Sequence, residues 1–122
     1  MKHSSGFLKL VEEARSRVRE VTVAEARERL ASHPGAVLVD VREEGEWAAG
    51  HAHEAVALGR GILERDIESR FPDPGTELIL YCGGGFRSAL AAESLQKMGY
   101  TNVWSLAGGF RAMKEAEWPM TP

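Results

Sequence analysis

Leu78-Ile79-Leu80-Tyr81 is apolar at every position, and Cys82, three glycines and a helical pattern follow it directly. A strand with one wet face alternates apolar and polar residues, so a short continuous run fits a strand covered on both faces. Ala36-Val37-Leu38-Val39 is a second such run and ends in Asp40. Strands covered on both faces need helices on both sides, which points to an α/β fold with a mostly parallel sheet. Ligands gather at the carboxyl ends of strands in such sheets, and Asp40 and Cys82 both occupy those ends.

The rest of the chain supplies the helices and further strands. Residues 5–20 read as one helix, with Phe7, Val11, Ala14 and Val18 at helical spacing and charged residues elsewhere. That stripe predicts packing against the domain, a partner-docking helix being the alternative. Thr22 and Glu25 have the spacing of a capping box, opening a helix that runs to about Ser32 and closes at Pro34-Gly35. Residues 43–49 read as a short helix ended by Gly50, residues 55–58 as a strand, and residues 61–70 as a helix before the turn Pro72-Asp73-Pro74-Gly75. Glu77 to Tyr81 is a strand, Ser88 to Met98 a helix stopped by Gly99, Asn102 to Leu106 a strand, and Phe110 to Glu117 a last helix after the Gly108-Gly109 turn.

Composition excludes several classes. The 122 residues are 43% hydrophobic, enough for the core of one domain. A net charge of −3 implies no general affinity for nucleic acid or an anionic membrane surface. No apolar run approaches the roughly 20 residues of a membrane span, and the first residues carry no apolar signal-peptide core. One cysteine cannot form an internal disulfide, so a reducing compartment, the cytoplasm, is expected. A metal site is not expected, because zinc needs several thiolate or imidazole ligands at set spacing. No cofactor motif is present either: the loop lacks the Lys-Ser/Thr ending of a phosphate-binding P-loop, and its glycines do not match the dinucleotide fingerprint.

Cys82 is the candidate for chemistry. A lone sulfur at a helix N-terminus, beside Arg87, sits where amide dipoles and a cation favour the thiolate. Gly83, Gly84 and Gly85 leave their N–H groups uncovered by side chains, and successive inward N–H groups form an anion nest. With Phe86 and Arg87 they are expected to bind a sulfur anion or an oxyanion attached to it. The alternative is a small cysteine buried in the core.

Several further stretches share one resemblance. Val37 through Glu43 has an apolar strand followed by Asp-Val-Arg, and Glu46-Trp47 and Gly50-His51 come after it. Tyr81-Cys82 through Arg87-Ser88 gives the loop, and Gly99 through Val103 and Leu106 through Phe110 close the series. In this order and spacing they resemble a single rhodanese-homology domain over about residues 20–113. The resemblance implies a three-layer fold with about five mostly parallel strands between helices, residues 1–19 being a helical extension and 20–122 the domain. It implies a sulfurtransferase in which Cys82 takes the outer sulfur of thiosulfate or another persulfide donor and passes it to a thiol or cyanide. The partners are then a small-molecule or protein sulfur donor and a thiol acceptor, and oligomeric state is left open. A non-catalytic interaction module is the alternative. Cys82 to Arg87 spans six residues. That length resembles the sulfur-transferring members, whereas related dual-specificity phosphatases and arsenate reductases carry one residue more. Three glycines and Phe86 stand where thiosulfate-specialised members often place a cationic or polar side chain, so a protein persulfide or small thiol donor is as well accommodated as thiosulfate.

Supporting residues read in two ways. Asp40 is a turn acceptor or helix N-cap, or orients the Cys82 loop. Arg42 is expected to pair with Glu46 one turn later, or to supply charge to a donor anion. Arg87 completes the nest through its backbone while its side chain meets an acid. Ser88 is expected to cap the helix, with a hydrogen bond to the Cys82 sulfur as the sharper possibility. His51 reads as structural and His53 as surface, and nothing in sequence places Arg60 or Arg65 at the pocket mouth.

Overall fold

A computed structural model of the chain describes residues 3–122, so the first two residues of the 1–19 segment lie outside it. Five parallel strands make the main sheet: β1 (Arg19–Val21), β2 (Val37–Asp40), β4 (Val56–Ala57), β5 (Leu78–Tyr81) and β6 (Val103–Leu106). Their order is β1-β6-β5-β2-β4. Two residues of β3 (His51–Ala52) pair antiparallel with β7 (Met120–Thr121).

Side-chain alternation along the central strands builds the layers. Leu78 and Leu80 of β5 and Val39 of β2 point into one apolar cluster, closed by Leu63 and Ile67 of α4 (Leu63–Arg70) and by Ala91, Ala92 and Leu95 of α5 (Phe86–Lys97). Ile79 and Tyr81 of β5 and Leu38 of β2 point the other way, onto Ala26 of α2 (Val23–Ser32) and Met113 of α6 (Gly109–Glu115). Each fully buried Leu or Ile contributes about 1.5–3 kcal/mol, which holds both helical layers to the sheet. α1 (Ser5–Arg15) lies outside this sandwich and packs on α5. Val11 and Ala14 are its buried residues, and Arg17 just beyond it reaches Glu93 of α5 at 2.9 Å.

The capping box forms as expected: Thr22 Oγ1 accepts from the Glu25 N–H at 3.2 Å, and Glu25 Oε1 accepts from the Thr22 N–H at 2.8 Å. The first helix is shorter than its pattern. It ends at Arg15, and residues 19–21 form the edge strand β1, in register with Trp104 to Leu106 of β6. Three residues are too few to show alternation, and pairing with β6 overrides the helical spacing. β3 and β7 escape sequence reading for the same reason. No helix among the described residues is long and apolar enough to cross a membrane.

Candidate active site

Register brings the candidate residues together. Asp40 and Tyr81 are partners at the carboxyl ends of β2 and β5, and Cys82 is the next residue. Its loop turns sharply because Gly85 adopts φ +96°, a left-handed conformation, and serves as N-cap of α5. α5 therefore starts at Phe86, two positions before the expected Ser88, and Ser88 is a fully buried first-turn residue instead of the cap.

Cys82 is only 1% exposed. Its sulfur nevertheless faces amides: Gly85 N–H donates to Sγ at 3.1 Å and Ser88 N–H at 3.3 Å. Sγ lies 3.6 Å from Ser88 Oγ, which in turn shares a 2.8 Å hydrogen bond with Ser105 Oγ of β6. The core location and the amide-ringed location thus coincide. The N–H groups of Gly83, Gly84, Phe86 and Arg87 have no acceptor among the described residues, and all four residues line the same cavity as Cys82. Unpaired N–H groups beside a sulfur are the means to hold an anion.

The loop is fixed from behind by α6. Phe110 N–H donates to Cys82 O at 2.7 Å and Arg111 N–H to Gly83 O at 3.2 Å. Gly109, at φ +55°, makes this approach possible, since a Cβ there would collide with Cys82 O and lie 2.9 Å from the Gly83 carbonyl. The side is fixed by Arg87, whose guanidinium grips Glu46 of α3 (Glu44–Ala48) with two bonds, 2.7 and 3.1 Å. That pairing holds the Glu46 carboxyl below the usual carboxylate range against the opposing pull of burial, and holds the Arg87 proton more tightly.

This arrangement corrects the expected Arg42–Glu46 pair. Arg42 turns back to Asp40, donating through its backbone N–H at 2.9 Å and its guanidinium at 2.8–3.1 Å, and reaches Gly50 O at 2.8 Å. Asp40 is thus a turn acceptor, and it also takes the Tyr81 hydroxyl at 2.5 Å. Tyr81 Oη in turn accepts the Ala52 N–H at 3.1 Å. Burial, then this bond to Asp40, raises the pKa of the Tyr81 hydroxyl. Arg42 is itself buried and lies over the Phe110 ring at 4.1 Å, so the network braces the residue that holds Cys82 O. Neither Asp40 nor Arg42 lines the Cys82 cavity.

A family model for the Rhodanese-like domain matches residues 22–116. The chain belongs to this family. Among solved structures, a Rhodopseudomonas palustris protein of unknown function, described as a possible tyrosine phosphatase, is 32% identical. The match covers 99% of this chain and 98% of that one, with a TM-score of 0.84. A human single-domain sulfurtransferase is 29% identical over 80% of this chain and 96% of its own, with a TM-score of 0.71. The polysulfide-sulfur transferase homodimer of Wolinella succinogenes shares the fold at 24% identity and a TM-score of 0.82, over 96% of this chain and 88% of that one.

Part of the cavity wall comes from residues ahead of the rhodanese-like match, which sequence reading does not place at the site. His3, Ser4 and Phe7 line the Cys82 cavity together with Phe86 and Arg111. Phe7 reads in sequence as part of a stripe packed on the domain, and His3, ahead of α1, carries no sequence signal. The remaining candidates stay outside the cavity. His51 stacks on Trp47 at 3.5 Å, His53 is exposed, Arg60 pairs with Glu64 and Arg65 with Asp66.

Proposed function

We propose that this domain is a sulfurtransferase that carries sulfane sulfur as a persulfide on Cys82. The supporting observation is the pair of N–H groups, Gly85 and Ser88, aimed at the sulfur. Charge on Sγ is stabilised there without a side-chain base, as amide donors stabilise an oxyanion. The thiolate attacks the outer sulfur of a donor. With thiosulfate, the donor S–S bond breaks, its electron pair leaves with sulfite, and Cys82–S–S⁻ forms. The unpaired N–H groups of Gly83, Gly84, Phe86 and Arg87 are suited to the donor oxyanion and then to the persulfide. An acceptor thiolate or cyanide attacks the terminal sulfur and regenerates the Cys82 thiolate, a two-step covalent route. Sulfur-transferring relatives of known structure support this reading. The six-residue loop argues against phosphoryl transfer by this chain, although one similar protein is described as a possible tyrosine phosphatase.

Intact-mass measurement after incubation with thiosulfate or an organic persulfide tests the proposal. The wild type should gain one sulfur atom, Cys82→Ser should gain none, and p-nitrophenyl phosphate should not be hydrolysed. Burial of Cys82 is the observation that favours the second reading, a non-catalytic interaction module. In that case no donor loads the sulfur, and iodoacetamide reacts no faster than with an ordinary thiol.

A further inference from the structure

The wall of the Cys82 cavity comes partly from outside the family match, which begins at residue 22. α1 is anchored on α5 through Val11, Ala14 and the Arg17–Glu93 pair. That anchoring presents its first turn to the catalytic loop. The His3 ring lies 4.7 Å from Phe86 and 5.2 Å from Phe7, and Phe7 lies 6.2 Å from Phe86. Three aromatic rings therefore form one continuous side of the cavity.

The charges in this cavity are equally specific. The Arg87 guanidinium is neutralised by Glu46 through two hydrogen bonds. Arg111 also lines the cavity, and its guanidinium has no carboxylate or hydrogen-bond partner among the described residues. The cavity measures about 810 Å³, within the range that encloses whole organic ligands. Thiosulfate is a compact dianion that offers aromatic rings nothing to touch, and beyond the loop N–H groups it would meet a single unpaired guanidinium. An organic group bearing a carboxylate uses both features, since the rings cover its apolar part and Arg111 takes its charge.

We propose that His3 and Phe7, with Phe86 and Arg111, are specificity-determining residues that select a low-molecular-weight organic persulfide carrying a carboxylate over thiosulfate. This rests on the sulfurtransferase reading of Cys82. The Cys82 thiolate attacks the outer sulfur of R–S–SH. The donor S–S bond breaks with its electron pair on R–S⁻, and Cys82–S–SH forms, with no other oxidant or reductant.

Loading of the full chain is followed by intact mass in single turnover with glutathione persulfide, cysteamine persulfide and thiosulfate. The wild type should load glutathione persulfide faster than thiosulfate. Phe7→Ala and His3→Ala should each lower the ratio of those two rates, by up to about tenfold, the scale of one lost aromatic contact. Leu10→Ala, on the exposed side of the same helix, is the control. Arg111→Gln should slow glutathione persulfide and spare the cationic cysteamine persulfide. Because the readout is a ratio within one protein sample, loss of folded protein cancels. Unchanged ratios in both wall variants, with wild type loading normally, overturn this inference and leave the sulfurtransferase reading intact. Failure of the wild type to load any donor overturns both.

Discussion

Three glycines at the site, Gly84 and Gly85 of the loop and Gly109 of α6, meet different surroundings. Gly85 and Gly109 combine a left-handed backbone with close neighbours: a Cβ on Gly85 would lie 3.1 Å from Gly108 N, and one on Gly109 would strike Cys82 O. Gly84 has nothing within 4 Å and no positive φ. Gly109→Ala should therefore cost about 1–3 kcal/mol, as forced overpacking does, and should disturb the carbonyls that α6 holds. Gly84→Ala should stay within about 0.5 kcal/mol of wild type, like other open surface changes. Urea unfolding of both variants checks the contrast, and equal losses would contradict it. The run of glycines could be read from sequence as a nest. Which of them must be glycine could not, because that depends on α6 arriving from a distant part of the chain. The Arg42 partner differs from the sequence expectation on similar grounds. A one-turn spacing to Glu46 is a local signal, whereas Asp40 wins by sharing a buried network with Tyr81 and Gly50.

Among the elements, those with a local chemical signal were the ones sequence could locate. α2 is an example, since its start is set by the Thr22–Glu25 capping box seen in the structure. Thr22→Ala should cost about 1 kcal/mol, the usual loss of an N-cap, read as a lower urea midpoint with an unchanged slope. β2 and β5 are recognisable because burial on both faces leaves an unbroken apolar run, and β6 follows the same pattern around a single buried Ser105. β1, β3 and β7, two or three residues each, carry no such run and are defined by partners far along the chain. The same limit hid the part α1 plays at the site. Its stripe announced a packed face, but only the docking on α5 sets His3 and Phe7 beside Phe86. The strand–loop–helix order around Cys82 is legible because the apolar run, the glycines and the helical pattern are contiguous, whereas its fixing by α6 is not.

At the scale of the whole molecule, two titrating groups set opposite limits on stability. Glu46 titrates lower in the folded chain than its ordinary value near 4.5. Its contribution is complete above that value and lost as pH falls through the lower folded one. Tyr81 titrates higher than its ordinary value near 10.0, so its contribution is complete below that value and lost as pH rises towards the folded one. The stability gap between wild type and Glu46→Gln should be level near neutrality and narrow in acid. The gap to Tyr81→Phe should instead narrow in alkali. Denaturant midpoints across pH measure both, and parallel curves for wild type and variant would refute the assignments. The depth of Cys82 bears on the proposed transfer cycle as a whole. On the proposed reading, a persulfide on Cys82 would carry its outer atom about 2 Å past Sγ. The Cys82 thiol, only 1% exposed, is recessed from bulky thiol blockers, and a loaded outer sulfur would stand further forward. Under that proposal uptake would be the selective half of the cycle and delivery the permissive half.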